Sequence, residues 1–312
     1  MLHSETQDGY PICIPSTFHS YNVIQYLGCG STCIVVLVED INTHERFSAK
    51  IIPKKDIINR NLLKSTMNEI NVLKSINHPH IIKVREAFEL KNDKEEEFII
   101  IIMEYCVNGD LLSYATNHGF KNEAERKKII IGFLEAIRYL HNKNISHGDI
   151  KSENVLLDKY MSPKLCDFGF CRTTLIAGDE SKNGTLYYAS PELFRKGRFN
   201  TLKSDIWAIG ITLYSLAELQ FPFKDGDQNY IIKQILSGKL SIRAGLDLKL
   251  KKLIEECTTV NPELRPTIDD ILHHEYFVNR SDVHINKYRN FMKQKTWFNT
   301  SFDNLNKIDS SI

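Results

Sequence analysis

Nothing in this sequence stays apolar for long. No uninterrupted hydrophobic run exceeds FIIIIM at 98–103, far short of the ~20 residues a helix needs to cross a bilayer, so a membrane span is excluded. An excess of one charge is missing too. The 40 Lys and Arg stand against 39 Asp and Glu, and a formal net charge of +1 sets up no global field for nucleic acid or an anionic membrane. Paired cysteines are also lacking: the 7 present (Cys13, Cys29, Cys33, Cys106, Cys166, Cys171, Cys257) are odd in number and never spaced C-x-x-C, which argues against a disulfide framework or a structural zinc. The opening MLHSETQDGY has neither a basic start nor an apolar stretch, so no secretory signal is read and the expected compartment is the reducing cytoplasm. No internal repeat appears. Function must rest on a localised site.

The 312 residues exceed one typical small domain and point to two lobes sharing a substantial core. Residues 1–20 are polar, carry Pro11 and Pro15, and read as a flexible N-terminal arm. From Tyr21 the runs YNVIQYLG, CIVVLVED, RFSAKII, IIKVREAFEL and FIIIIMEY predict an antiparallel sheet of about five strands. One helix at about 61–75 interrupts them, with Leu62, Leu63, Ile70, Leu73 and Ile76 on its apolar face and Glu69 beside it. After Asn108 the periodicity turns helical. Ile130, Phe133, Leu134, Ile137 and Leu140 follow the i, i+3, i+4, i+7 rule behind a capping box formed by Asn122 and Glu125. The fold class is therefore α+β, a small antiparallel lobe with one main helix and a larger, mainly α lobe. The chain beyond 278 is rich in Asn, Lys and Ser and reads as a polar tail at 278–312.

Leu27-Gly28-Cys29-Gly30-Ser31-Thr32-Cys33-Ile34-Val35 lies between two predicted strands, where a dinucleotide fingerprint would need a strand and a helix. Without side chains at Gly28 and Gly30, backbone N–H groups can approach phosphate oxygens. Downstream come Ser48-Ala49-Lys50, then Glu69 on the helix, then His147-Gly148-Asp149-Ile150-Lys151-Ser152-Glu153-Asn154 and Asp167-Phe168-Gly169. Turn chemistry explains any one Asp or Asn among these but not the ordered set. Phosphoryl transfer needs a carboxylate for the acceptor hydroxyl, a cation near the γ-phosphate and oxygen ligands for magnesium, and each is present at a workable offset.

In this order the motifs resemble the eukaryotic-type serine/threonine protein kinases, closest in appearance to the calcium/calmodulin-dependent and AMP-activated group, over about 21–277. The resemblance implies a two-lobed fold, with a small lobe at about 21–103, a hinge at about 104–108 and a large lobe at about 109–277. It implies ATP and Mg2+ as cofactors and protein substrates as partners. Asp149 would be the catalytic base, Lys151 and Lys50 the phosphate cations, Glu69 the partner of Lys50, and Asn154 and Asp167 the metal ligands. Leu27, Gly28, Gly30, Val35, Ser48, Lys50, Glu104, Cys106, Asp110, Leu156 and Asp167 would surround the nucleotide. Gly184-Thr185-Leu186-Tyr187-Tyr188-Ala189-Ser190-Pro191-Glu192 resembles the end of an activation segment, with Arg265 as partner of Glu192. Thr185 and Lys151 are of the serine/threonine type.

Departures from the pattern carry their own expectations. Cys33 replaces a third glycine and Ser48 a small alanine. Gly148 replaces the arginine that in many kinases reads a phosphate on the activation segment, here Ser181, and Ser65 stands where another basic residue often sits. Arg172 could still contact such a phosphate. Activity is therefore expected to depend little on phosphorylation there. Asp110 and Glu153 match positions that meet an arginine upstream of the acceptor. KYRNFMKQKTWF at 287–298 is basic and aromatic, and a calmodulin target there is weighed against a plain polar tail, the preferred reading. The rivals are a pseudokinase scaffold and a small-molecule kinase. Retention of Lys50, Glu69, Asp149, Asn154 and Asp167 speaks against the first, and the complete segment from Thr185 to Glu192 against the second.

Overall fold

The protein is described by a computed structural model covering residues 2–6, 9, 11–173, 176–177, 185–195 and 197–278. Its small lobe is a six-stranded antiparallel sheet. In chain order, β1 is Leu2–Glu5, β2 Pro11–Ile14, β3 Thr17–Phe18, β4 Tyr21–Cys29, β5 Ile34–Asp40, β6 Arg46–Pro53, β7 Val84–Lys91 and β8 Glu97–Glu104. The large sheet runs β3-β4-β5-β6-β8-β7, while β1 and β2 pair only with each other. The expected helix is α2, Leu63–Ser75, preceded by a short α1, Lys54–Asn59. No sequence signal marked α1, which has six residues and starts directly after Pro53.

Alternation on the strands sorts the sheet into two faces. Ile34, Val36 and Val38 of β5, Ala49 and Ile51 of β6, and Phe98, Ile100 and Ile102 of β8 share one buried cluster. Ile52, Ile99 and Ile101 point the other way and pack with Ile57 of α1 and Ile70 of α2. The first cluster is covered from an unexpected side. Ile12, Ile14, Phe18 and Tyr21 close over it, Ile12 and Ile14 at 1% and 0% exposure. The segment read as a loose arm is thus a hairpin seated on the sheet, each buried isoleucine contributing about 1.5–3 kcal/mol. Its proline content hid the alternation of Ile12 and Ile14.

The large lobe holds α3 Leu111–Asn117, α4 Glu123–His141, α5 Thr201–Glu218, α6 Gln228–Ser237, α7 Leu248–Cys257 and α8 Ile268–Leu272, with the short strands β9 Ile145–Ser146, β10 Val155–Leu157 and β11 Pro163–Leu165 between α4 and α5. Ile130, Phe133, Leu134, Ile137 and Leu140 of α4 are all buried. Asn122 caps α4 by accepting from Glu125 N at 2.9 Å, but the reciprocal arm of the expected box goes to Lys121 N instead. Two main-chain bonds join the lobes beside β11: Leu165 N donates to His80 O at 2.8 Å and Ile82 N to Leu165 O at 2.9 Å.

Candidate active site

The register sets Lys50 of β6 opposite Val35 of β5, and Val35 in turn opposite Gly28 of β4, so Lys50 and the glycine turn lie level across three strands. That turn closes through Gly30 N to Cys33 O at 2.8 Å, and a Cβ on Gly30 would stand 3.1 Å from Cys33 Sγ. The thiol of Cys33 therefore fills the underside of the turn, a place a third glycine would leave open. On α2, Glu69 is buried and its Oε1 takes Lys50 Nζ at 2.8 Å. Asp167 Oδ1 is 3.6 Å from the same nitrogen. Burial disfavours the ammonium, but Glu69 and then Asp167 outweigh it and hold the Lys50 pKa well above the usual lysine range. Lys50 chiefly, with His147 and Lys151 beyond it, lowers the Asp167 carboxyl below its ordinary value against the effect of burial.

A second knot forms just after β9. Asp149 Oδ2 accepts from Lys151 Nζ at 2.7 Å and from Asn154 Nδ2 at 2.9 Å, and Asn154 Nδ2 also donates to the Asp149 carbonyl at 2.8 Å. Lys151 Nζ reaches Thr185 Oγ1 at 3.1 Å. The loop carrying these groups is fixed from behind by Asp205 of α5, whose carboxylate accepts from His147 N at 2.8 Å and Gly148 N at 3.0 Å and meets His141 Nε2 at 3.0 Å. His147 Nε2 lies 3.0 Å from Cys166 O, one residue before Asp167. Gly148 has φ +80° and a Cβ there would come within 2.6 Å of Phe170 O. Glycine at this position removes strain as well as charge.

Around the cleft between the lobes the remaining residues read from the sequence fall into place unevenly. Ser48 Oγ donates to Glu104 O at 3.2 Å, so the polar replacement finds its partner on the segment joining the lobes. The Glu104 side chain faces away, accepting from Lys83 N at 2.8 Å and pairing with Lys164 Nζ at 3.0 Å. Burial pushes the Cys106 thiol up to about 12, which keeps it an inert packing group. Asp110 caps α3 by accepting from Ser113 N at 2.8 Å and bridges in register to Leu156. Leu27 is partly exposed on β4. Glu153 Oε2 accepts from Tyr188 Oη at 3.0 Å and Ser152 Oγ at 3.1 Å. Sequence reasoning gave no role to Lys164, His141 or the Tyr188 hydroxyl; each acts through a distant partner that no local spacing signals.

Asn154 and Asp167 offer oxygen donors of the kind magnesium takes together with phosphates and water. The Asn154 NH2 is engaged by Asp149, leaving its amide oxygen as acceptor, and the Asp167 side chain is 41% exposed toward the cleft. Among the described residues no cluster of three or more His, Cys, Asp or Glu could hold a metal by protein ligands alone. The donor set fits a nucleotide-bound ion.

Comparison with known families matches residues 21–277 to the protein kinase domain. The chain belongs to the protein kinase family. Kinases of this family transfer the γ-phosphoryl group of ATP, with magnesium, to protein hydroxyls, and the two-lobed fold is theirs. The kinase is 28% identical over 301 residues to "Serine/threonine-protein kinase SAPK2" of Oryza sativa subsp. japonica, covering 94% of this chain and 86% of that one. It is 32% identical to "Sucrose non-fermenting protein kinase 1" of Fusarium virguliforme, covering 91% of this chain and 39% of that protein. A third relative, "Serine/threonine-protein kinase cds1" of Schizosaccharomyces pombe, is 30% identical over 87% of this kinase and 61% of its own length. No helix among the described residues of the kinase is long and apolar enough to cross a membrane.

Proposed function

We propose that the kinase phosphorylates serine and threonine on protein substrates, with Asp149 as the catalytic base. The observation that carries this reading is the single hydrogen-bonded array Thr185–Lys151–Asp149–Asn154. Asp149 Oδ2 already carries two donors there, which aims the carboxylate. An acceptor hydroxyl would donate to Asp149 and attack the γ-phosphorus as the bond to the β,γ-bridging oxygen breaks; its proton passes to the carboxylate and ADP leaves. Lys50, clamped by Glu69, would bind the α- and β-phosphates, and Lys151 would meet the γ-phosphate. Asn154 and Asp167 would hold magnesium, which when bound neutralises phosphate charge. Thr185 beside Lys151 favours an aliphatic hydroxyl over a tyrosine as acceptor, in keeping with the names of the relatives.

The upstream arginine preference is part of the same proposal. Glu153 keeps Oε1 beyond its bonds to Tyr188 and Ser152, and Asp110 keeps its second oxygen beyond the helix cap. An arrayed degenerate peptide library with radiolabelled ATP tests both levels. Wild type should label Arg-x-x-Ser/Thr peptides, Asp149→Asn should label none, and Glu153→Ala should flatten the arginine preference. Equal labelling by Asp149→Asn would refute the base assignment, and an arginine preference intact in Glu153→Ala would refute the specificity.

Control by activation-segment phosphorylation should be weak. Gly148 supplies no guanidinium, and Ser65 supplies no cation, its Oγ donating to Leu62 O at 2.8 Å. Ser181 itself lies outside the described residues, as does the basic, aromatic stretch weighed as a calmodulin target. Phosphatase-treated enzyme and Ser181→Ala are expected to keep activity within tenfold of untreated wild type. A larger loss, above about 1.4 kcal/mol in barrier, would reject this.

A further inference from the structure

A hydroxyl sits on the path that the base of a bound nucleotide has to take. On β6, Ala49 and Ile51 face the outer cluster, so strand alternation turns Ser48, Lys50 and Ile52 to the other face. Lys50 is the proposed phosphate clamp, and its two neighbours on that face differ. Ile52 packs into one buried cluster with Ile57 of α1 and Ile70 of α2, which closes that side. A nucleotide whose phosphates lie at Lys50 therefore runs the other way, past Ser48, about 7 Å along the strand. That direction ends at Glu104, since the register sets Ser48 against Met103 and Phe47 against Glu104.

What Glu104 can offer a base is already narrowed. Its N–H donates to Lys83 O at 3.0 Å, and its carboxylate is held by Lys83 N at 2.8 Å and Lys164 Nζ at 3.0 Å. Its carbonyl remains, and Ser48 Oγ donates to it at 3.2 Å, with Met103 O at 3.5 Å as a second acceptor. Ser48 is 7% exposed, so the bond lies in a nearly dry place. A buried acceptor ordinarily selects by penalty: a ligand without a donor leaves it unpaired once water is expelled, and that cost rejects the analogue. Here the penalty is absent, because the protein itself keeps a donor on Glu104 O. Adenine's one exocyclic donor is its 6-amino group. A base that carries it can add a second bond to the same oxygen, which has two lone pairs; a base that lacks it strands nothing.

We infer that Ser48 is a specificity-determining residue that relaxes the choice of base, so that the kinase accepts purine nucleoside triphosphates lacking the 6-amino group as phosphoryl donors beside ATP. The inference rests on the reading of Lys50 as the phosphate clamp. The transfer itself is unchanged: the bond from the γ-phosphorus to the β,γ-bridging oxygen breaks, the acceptor hydroxyl takes the phosphoryl group, and the nucleoside diphosphate leaves with the electron pair.

The test compares kcat/KM for ATP and for purine riboside triphosphate, with magnesium chloride and a serine peptide labelled by wild type, in the full-length chain and in Ser48→Ala. Wild type should favour ATP by less than about tenfold, and Ser48→Ala, which leaves Glu104 O to the base alone, should widen that ratio by about fivefold or more. A ratio taken on one preparation does not depend on the fraction folded, so a loss of stability in the variant cannot imitate the result. An equal ratio in Ser48→Ala and wild type overturns the inference, as does wild-type discrimination above about a hundredfold. Lys50→Met separates the two readings. If transfer from ATP is lost in Lys50→Met while the Ser48→Ala ratio stays at the wild-type value, the clamp stands and the role of Ser48 falls; if transfer survives Lys50→Met, the clamp falls and takes the placement of the base with it.

Discussion

Asp167→Ala is expected to lower phosphate transfer by about 100- to 1,000-fold while leaving the fold intact. The carboxylate is held below the ordinary aspartate range chiefly by Lys50, so at neutral pH it is fully charged and ready for a cation. Its loss leaves Lys50 paired with Glu69 at 2.8 Å, and no buried charge is stranded. One complication is local: Asp167 has φ +62°, a left-handed conformation in which alanine is strained by about 1–2 kcal/mol. Asp167→Asn tolerates that backbone and removes only the charge, so the pair of variants separates ligand loss from strain. Radiolabel transfer to a peptide and thermal unfolding check both. Activity within tenfold of wild type in both variants would reject Asp167 as the metal carboxylate.

The second large effect is on stability. Arg265 is 2% exposed and grips Glu192 with two bonds of 2.7 Å, while also donating to Lys203 O at 2.6 Å and Thr259 O at 2.8 Å. Arg265→Leu should cost about 3–5 kcal/mol, because it leaves the Glu192 carboxylate buried without its cation. Burial alone would raise the Glu192 pKa, but the Arg265 bond and charge prevail and the net shift is downward. A depressed carboxyl stabilises the fold above its unfolded pKa, about 4.3, and that contribution is lost as pH falls through the folded value. Wild type should therefore lose stability on acidification below about pH 4, and Arg265→Leu should show less of this slope. Denaturant unfolding from pH 3 to 7 reads both. A loss below about 1 kcal/mol at pH 7 would contradict the assigned role.

Much of this was legible in the sequence because kinase chemistry is written in short, ordered motifs. The carboxylates, cations and glycine turn sit at fixed offsets along the chain, and the fold brings Lys50 to Glu69 and Asp149 to Asn154 as those offsets imply. The strands were readable from β-branched runs, and α2 came within two residues of its true start. What escaped notice depends on contacts between distant segments. The pairing of Glu104 with Lys164 joins residues with no periodic relation. The hairpin was hidden by polar composition, since only alternate residues of so short a strand face the sheet. Departures from the family pattern were visible, yet their consequences were not: Ser48 turned out to serve a carbonyl, and Gly148 a crowded left-handed backbone.

The grip of Asp205 on the catalytic loop has a consequence for how that loop breathes. Segments without regular structure ordinarily open first, and their amide hydrogens exchange with water long before those of the core. Here the amides of His147 and Gly148 are capped by a carboxylate that is 2% exposed and rooted in α5, the most deeply buried helix of the large lobe. They cannot be released until Asp205 moves, and Asp205 cannot move until α5 does. The loop to which the proposed mechanism assigns the base thus borrows the opening energy of the core beneath it.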